Sequence, residues 1–223
     1  MSQSTLPKKG IRALLDLDWL QKNIRCQHRC PAHMDVPGYI RLISQGKYEE
    51  SYKLMRETNP FPAVCGYVCP HPCESKCKRG DFDRPVAIDA LKRFVTEKKK
   101  KNKIKVPPQK VIQRAEKVAI IGAGPAGLTA ANDLAGMGYT VTVFEKESQP
   151  GGMMMWAIPS YRLPREQLMF DISQIVARGV EIKTNNPIGS PGKTIQDLFQ
   201  EGYKAVFIAV GAQKGKKLEI PGE

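Results

Sequence analysis

Two parts of this sequence have residue types and spacing that could do chemistry: a glycine-rich loop and a segment dense in cysteine. The loop has the pattern GxGxxG and follows a short apolar run. Gly122 permits a tight turn, Gly124 lets the backbone approach phosphates, and Gly127 lets the next helix lie close to the strand. Backbone amides near Pro125 and Ala126 begin that helix and would face an anion. The pattern predicts binding of a dinucleotide pyrophosphate.

An acidic residue and two further glycine positions refine that prediction. Glu145 ends the next apolar run, near the expected distance for an acceptor of a ribose 2′-hydroxyl, and its carboxylate would repel a 2′-phosphate. Gly151 and Gly152 lie just past this position, and a late apolar run ends in Gly211 and Ala212. In flavoproteins with two dinucleotide sites, such features accompany the first site. They favour FAD over NAD as the ligand.

The cysteines indicate a metal site. They are Cys26, Cys30, Cys65, Cys69, Cys73 and Cys77. Pro70 and Pro72 prevent a continuous helix, so the second group is expected to form a loop with converging thiols. A Cys-Pro step after a ligand-spaced cysteine is typical of ferredoxin-type clusters. Zinc is an alternative because His28, His33 and His71 lie nearby, although zinc sites more often show CxxC pairs. Free structural cysteines are disfavoured, because six crowded thiols without metal would be hazardous.

The elements that must position these motifs fall into two unlike halves. Apolar residues near helical spacing predict helices at 12–23, 37–44, 47–57 and 86–97. Strands are predicted at 117–121, 139–144, 180–183 and 205–210, alternating with helices that include 165–178 and 194–200. This alternation predicts a parallel sheet with helices on its faces. The predicted domains are a helical domain at 1–97, a linker at 98–115 and a Rossmann-like domain at 116–223.

Charge and hydropathy restrict the partners. The formal net charge is +13, which suggests an acidic partner: a ferredoxin-like protein, a nucleic acid or a membrane surface. Much of it lies in the lysine run 98–105 before two prolines, and a solvated linker is favoured there over a docking patch. No aromatic residues interleave with these lysines, which disfavours nucleic acid. No apolar run approaches the roughly 20 residues of a membrane span. A cytoplasmic location is expected, where thiols are reduced or bound to metal.

Several short motifs together resemble one family. They are Cys30-Pro31, Asn59-Pro60-Phe61-Pro62, Cys65-Gly66-Tyr67-Val68-Cys69-Pro70, Cys73-Glu74, Gly151-Gly152, Ile158-Pro159 and Tyr161-Arg162-Leu163-Pro164. The resemblance is to the glutamate synthase small-subunit family, which includes the N-terminal part of dihydropyrimidine dehydrogenase. It implies a helical domain with two [4Fe-4S] clusters that exchanges electrons with FAD, and a second Rossmann domain for NAD(P)H. It also suggests that Arg162 contacts the flavin or its phosphates; a surface pairing of Arg162 with Glu166 is the alternative.

The sequence departs from that family in its cluster ligands. Members have two more cysteines before the position of Cys26, so Cys26 and Cys77 are short of ligands. Lys92 lies near the position of a Glu or Gln ligand, and a protonated lysine cannot bind metal. Cys65 is the natural substitute, beside the three other thiols at positions 30, 69 and 73. One [4Fe-4S] cluster is therefore expected, with two as the alternative.

A further departure is that the sequence has no second GxGxxG and ends where family members continue into the NAD(P)H domain. The expected fold is an N-terminal helical iron–sulfur domain followed by a Rossmann-like FAD-binding sheet, incomplete relative to the family. The predicted function is an electron-transfer subunit that relays electrons between FAD and the cluster. Other oxidoreductase subunits, including an NAD(P)H-binding chain, are the expected partners. The alternative is a non-catalytic assembly module with a metal-stabilised helical domain and a vestigial flavin fold.

Overall fold

The computed structural model of the protein describes residues 16–101, 112–189, 192–212, 215 and 219–221. These residues form two compact units. The first contains residues 16–101 together with Pro159–Gln174. The second contains the remaining described residues from position 112 onward.

The first unit is built mainly from short helices. They are α1 (Leu17–Asn23), α2 (Arg25–Arg29), α3 (Val36–Ser44), α4 (Tyr48–Arg56), α5 (Pro62–Val68), two 3₁₀ turns (Glu74–Lys76 and Lys78–Asp81) and α6 (Ile88–Lys101). Aspartates begin two of them: Asp16 accepts the N–H of Trp19 at 2.9 Å, and Asp35 accepts the N–H of Gly38 at 2.9 Å. Such N-caps satisfy backbone donors that the helix itself leaves unpaired. The helices predicted from residue spacing are present, although residues 12–15 lie outside the described part of the chain.

Helix α6 extends further than the sequence indicated. It continues through Lys101, so the first four residues of the predicted linker 98–115 are helical. Lys99 is buried, with its ammonium 5.7 Å from the ring centre of Tyr52. Lysines in the last turn of a helix also interact favourably with its dipole. Residues 102–111 lie outside the described ranges.

The segment Pro159–Gln174 groups with the helical unit, whereas the sequence placed it in the nucleotide-binding half. Helix α9 (Arg165–Val176) begins in this segment. Phe170 packs against the core of the helical unit, with its ring centre 6.2 Å from that of Tyr52. Gln167 donates a hydrogen bond to the hydroxyl of Tyr67 at 3.3 Å. These contacts explain why the segment Pro159–Gln174 belongs to the helical unit.

The second unit has the predicted parallel sheet. Its strands are β1 (Lys117–Ile121), β2 (Thr140–Phe144), β3 (Glu181–Lys183) and β4 (Tyr203–Ile208), in the order β3-β2-β1-β4 with parallel pairing throughout. Helices α7 (Pro125–Gly136), α8 (Met153–Trp156) and α10 (Ile195–Gln200) also belong to this unit. Strand β4 begins and ends two residues earlier than predicted. The parallel order brings the carboxyl ends of β1, β2 and β4 to one edge, where ligands bind in sheets of this class.

Among the described residues, no helix is both long enough and apolar enough to cross a membrane.

Candidate functional site

The glycine-rich loop joins β1 to α7, and two of its glycines are required by close backbone contacts. Gly122 has φ +104°, and a Cβ there would collide with the carbonyl oxygen of Ala209, which follows β4. A Cβ on Gly127 would collide with the carbonyl oxygen of Gly122. The start of α7 therefore lies directly on the loop, as the sequence motif predicts.

The N-terminus of α7 is open to a ligand. Gly124 is its N-cap residue and supplies no side-chain hydrogen bond, and Pro125 and Ala126 are exposed. A Cβ on Gly124 would meet only the Cα of Gly152, at 3.9 Å. The backbone next to this helix N-terminus is thus a bare surface that a Cβ would partly fill. It suits the approach of a phosphate group to the positive end of the helix dipole.

The double glycine packs against this loop. The N–H of Gly151 donates to the carbonyl of Ala123 at 2.8 Å. Gly151 and Gly152 have φ +129° and +53°, and a Cβ on Gly152 would lie 2.8 Å from the Cα of Gly124. Both residues have positive φ, and Gly152 also has no room for a Cβ, which explains why both are glycine. The structure brings together the two glycine motifs that were singled out separately in the sequence.

Glu145 supports the loop directly. Its side chain is buried, and its two carboxylate oxygens accept the N–H of Ala123 at 2.7 Å and the N–H of Glu147 at 3.0 Å. Each oxygen has a second lone pair, so a ribose hydroxyl can still be accepted. The ribose contact stays a prediction. Fixing the loop is a role that the sequence did not reveal.

We expect Glu145→Ala to destabilise the second unit by about 2–4 kcal/mol, because two backbone donors lose a charged acceptor. Glu145→Gln keeps one oxygen as an acceptor, so its free energy of unfolding should lie between those of Glu145→Ala and the wild type. Urea unfolding followed by Trp156 fluorescence, in a Trp19→Phe background, measures this unit separately. Wild-type stability in both variants would contradict the assigned role.

The other predicted flavin contacts are Gly211, Ala212 and Arg162. Val210 lies beside Gly122, and Gly211 and Ala212 follow it as exposed residues. Arg162 is exposed and belongs to the helical unit. Its proposed alternative partner, Glu166, lies 3.5 Å from the ammonium of Lys100. The flavin contacts of Arg162, Gly211 and Ala212 stay predictions.

The six cysteines lie at helix ends and in the loop between α5 and α6. Cys26 and Cys30 are one turn apart on α2 and its C-cap, and Cys65 and Cys69 are one turn apart on α5 and its C-cap. Residues four apart on a helix share a face. Cys73 and Cys77 flank the first 3₁₀ turn. All six are free thiols, and Cys73 is buried.

Electrostatic interactions connect Cys73 with Cys30 and Cys69, Cys65 with Cys69, and Cys26 with Cys77. Burial raises the pKa of Cys73 to about 11, and its neighbours Cys30 and Cys69 add to the shift. Burial also raises the pKa of Cys65, again with a contribution from Cys69. The pKa of Cys26 is raised by burial and by Cys77. We call the thiols at positions 30, 65, 69 and 73 the four-cysteine set; the division into these four thiols and the pair at positions 26 and 77 stays a prediction.

Hydrogen-bond donors face this set. The amide Nδ2 of Asn59 lies 3.4 Å from Sγ of Cys65, and the backbone N–H of His71 lies 3.3 Å from Sγ of Cys69. The hydroxyl of Tyr39 is buried and has no hydrogen-bond partner among the described residues. Tyr39 and Cys73 belong to one packed core. A buried donor without an acceptor, in the core that contains Cys73, fits a site that receives a sulfur-rich group.

Lys92 is a buried cation beside the set. Its ammonium lies 2.9 Å from Asp89. Burial opposes its charge, but the hydrogen bond to Asp89 and the neighbouring Cys65 and Cys69 raise its pKa above the ordinary value. It is therefore protonated and cannot bind metal. A positive charge at this point would offset part of the negative charge of bound thiolates.

The histidines do not complete a site for a single ion. In the described ranges, no three histidine, cysteine or acidic side chains lie where they could hold one metal ion. His71 instead has Nδ1 at 3.1 Å from the carbonyl oxygen of Cys69. His33 has Nδ1 at 3.3 Å from the carbonyl oxygen of Gln27. In a [4Fe-4S] cluster four cysteines hold a group of irons rather than one ion.

A buried carboxylate holds the start of α5, the helix that carries Cys65. Oδ2 of Asp171 accepts the N–H of Val64 at 3.0 Å, and its Oδ1 has no hydrogen-bond partner among the described residues. Burial raises the pKa of Asp171 to about 7, although the N–H of Val64 and the guanidinium of Arg56 oppose this shift. Nothing in the sequence near position 171 indicated this contact.

Asp171 makes the stability of the helical unit depend on pH. Its folded pKa of about 7 lies above the ordinary value of 3.8, so the folded state holds a proton that the unfolded state releases. Stability from this group is present below about pH 4 and falls as pH rises toward 7, by up to roughly 4 kcal/mol. Asp171→Asn should remove this slope, because an amide keeps an acceptor for Val64 and carries no charge.

The test of the Asp171 prediction is urea unfolding at pH 5 and pH 7.5, followed by Trp19 fluorescence in a Trp156→Phe background. Asp171→Asn should gain stability over its parent as pH rises. The parent is measured at the same two pH values. Every other titrating group is present in both proteins, so the difference between them isolates the contribution of Asp171. If the free energy of unfolding changes with pH equally in the two proteins, Asp171 is not the source of the pH dependence.

Two family models match separate parts of the chain. Residues 20–104 match the family model "dihydropyrimidine dehydrogenase domain II, 4Fe-4S cluster". Residues 120–173 match the model "NAD(P)-binding Rossmann-like domain". The first match covers the cysteine segment, and the second covers the glycine loop from the end of β1 onward.

Curated relatives match most of the chain. It is 42% identical over 219 residues to the NADP(+)-dependent formate dehydrogenase subunit beta of Moorella thermoacetica. It is 42% identical over 200 residues to the NADPH-Fe(3+) oxidoreductase subunit beta of Geobacter sulfurreducens and 40% identical over 199 residues to the NAD-dependent dihydropyrimidine dehydrogenase subunit PreT of Escherichia coli. These matches cover 89%, 89% and 87% of this chain, but only 31%, 30% and 47% of the relatives.

Proposed function

We propose a function for this chain, which belongs to the glutamate synthase small-subunit-like family that includes the N-terminal part of dihydropyrimidine dehydrogenase. The proposed function is electron transfer within an oxidoreductase, between FAD and a [4Fe-4S] cluster. One observation supports it best. A single chain carries a four-cysteine set faced by buried donors and a dinucleotide loop at an open helix N-terminus.

The residues of the two sites would bind the cofactors and hold the binding loop in place. When bound, FAD supplies exchange of electron pairs and the cluster supplies single electrons, so the redox chemistry itself belongs to the cofactors. The four-cysteine set would hold the cluster. The backbone at Gly124 and the N-terminus of α7 would hold the pyrophosphate, with Glu145 fixing the loop and accepting a ribose hydroxyl. Burial of Cys65 and Cys73 favours their protonated forms, so cluster binding must release protons.

The proposed partners are other subunits of an oxidoreductase, including a chain or domain that binds NAD(P)H. The relatives from Moorella and Geobacter are named as beta subunits, and the relative from Escherichia is named as a subunit. The net charge of +13 supports an acidic electron carrier of the ferredoxin kind as a further partner. Charge complementarity of this type speeds association more than it strengthens binding.

The first test is to measure iron, sulfide, zinc and flavin per chain in protein purified without oxygen. About four irons with matching sulfide and one FAD would support one cluster and a flavin in the same chain. About eight irons would indicate a second cluster that uses Cys26 and Cys77 with ligands from elsewhere. Zinc without sulfide, or no flavin, would overturn the proposal and favour the assembly module.

A second measurement tests the relay. Stopped-flow mixing with a reduced ferredoxin should bleach the flavin quickly in the wild type. A variant of the four-cysteine set that keeps its flavin should be slower by at least tenfold. Equal rates would mean that electrons reach the flavin without the cluster.

A further inference from the structure

We propose that Tyr39 and Asn59 donate hydrogen bonds to sulfur atoms of the group held by the four-cysteine set and thereby raise its reduction potential. This inference rests on the proposed function, because it requires the cluster. A protonated hydroxyl or amide that donates a hydrogen bond to sulfur does not bind iron. Tyr39 and Asn59 are positioning and tuning residues that act through sulfur.

The geometry of Asn59 fixes which way its amide points. Its Oδ1 accepts the N–H of Phe61 at 2.9 Å, so Nδ2 must lie on the opposite side. There it is 3.4 Å from Sγ of Cys65 and 3.5 Å from Sδ of Met34. The side chain is buried, and an N–H in this position has no water to bond instead. The amide is therefore held as a donor toward Cys65 before any metal binds.

Tyr39 carries a buried hydroxyl in the helical unit. Its side chain is 1% exposed, yet its hydroxyl has no hydrogen-bond partner among the described residues. Leaving a buried hydroxyl unpaired costs roughly 1–3 kcal/mol. Tyr39 packs in the same core as Cys73, with Cys26 and Cys30 against it. A sulfur of the bound group is the acceptor that this position would supply.

Both donors should shift the potential in the same direction. A reduced cluster carries one more negative charge than an oxidised cluster, so donors to its sulfurs stabilise the reduced form more. Hydrogen bonds to the sulfurs are among the features that set cluster potentials. Losing one donor should favour the oxidised form by roughly five- to tenfold in the redox equilibrium, the size expected for a typical net hydrogen bond.

The experiment compares reduction potentials in protein that retains its full iron and sulfide. Tyr39→Phe removes only the hydroxyl and should lower the potential. Asn59→Asp keeps an oxygen for the N–H of Phe61, places an oxygen toward Cys65 and should lower it further. Tyr52→Phe is the matched control, because Tyr52 is a buried tyrosine of the same core whose ring contacts Phe170 and lies 6.0 Å from the guanidinium of Arg56. It should leave the potential unchanged.

A second readout detects the hydrogen bond itself. Resonance Raman bands of iron–sulfur stretching should shift in D₂O for the wild type, and the shift should be smaller in Tyr39→Phe. Full iron with unchanged potential in Tyr39→Phe would overturn this inference and leave the proposed function standing. A wild-type protein without iron and sulfide would overturn both.

Discussion

Replacing Cys69 with serine should remove about four irons per chain together with their sulfide, whereas Cys77→Ser should leave them. Cys69 is in the middle of the four-cysteine set: it neighbours Cys65 on α5 and interacts with Cys73. Cys77 interacts with Cys26 instead. Serine is similar in size but rarely deprotonates, so it is a poor ligand in place of a thiolate.

The two cysteine variants control for each other. Both positions are C-terminal to a short helical segment, and both side chains are partly buried. Iron and sulfide analysis with an electron paramagnetic resonance spectrum of the reduced protein gives the outcome. If Cys69→Ser keeps all its iron, Cys69 is not a ligand. If Cys77→Ser loses as much as Cys69→Ser, the division of the thiols into four and two is wrong.

Gly124→Ala should weaken dinucleotide binding by at least tenfold, about 1.4 kcal/mol, and leave the second unit as stable as the wild type. The added Cβ would meet only the Cα of Gly152 at 3.9 Å, an ordinary contact. Gly124 has φ −79°, a conformation that alanine adopts without strain. The methyl group would therefore disturb only the approach of the phosphates.

Gly127→Ala is the contrasting variant for this loop. Its Cβ would collide with the carbonyl oxygen of Gly122, so the unit itself should lose about 1–3 kcal/mol or more along with its ligand. Flavin content after purification and urea unfolding followed by Trp156 fluorescence separate the two cases. Normal flavin binding in Gly124→Ala would refute the placement of the pyrophosphate. A destabilised Gly124→Ala would show that the space at Gly124 is tighter than the structure indicates.

The local motifs were readable from the sequence because each depends on residues close together in the chain. The glycine loop and the strand before it need only a short segment, and the parallel sheet follows from the alternation of strand and helix. The cysteine pairs at positions 26 and 30 and at 65 and 69 are one helical turn apart. The sequence predicted a loop for the second group of cysteines, whereas Cys65 lies on helix α5 and only the residues after that helix form the loop.

The ends of helices and the limits of the two units were less predictable from the sequence. Packing decides where a helix ends and which core it covers. Helix α6 continues through lysines that composition assigned to a linker, and Lys99 packs beneath the ring of Tyr52. Apolar residues of α9 predicted a helix correctly. They carried no information about which unit that helix would join.

The sequence by itself indicated the chemistry that this protein can host: cysteines for an iron–sulfur cluster, a glycine loop for a dinucleotide, and a parallel sheet to present it. Only the tertiary structure decided what supports those groups. Asp171 meets Val64 from 107 positions away, and Glu145 meets Ala123 from 22 positions away. Tyr39 lies in one core with Cys73. Burial makes each donor and acceptor costly to leave unpaired. Which partner satisfies a buried group depends on how distant segments of the chain pack, and no local sequence pattern indicates that partner.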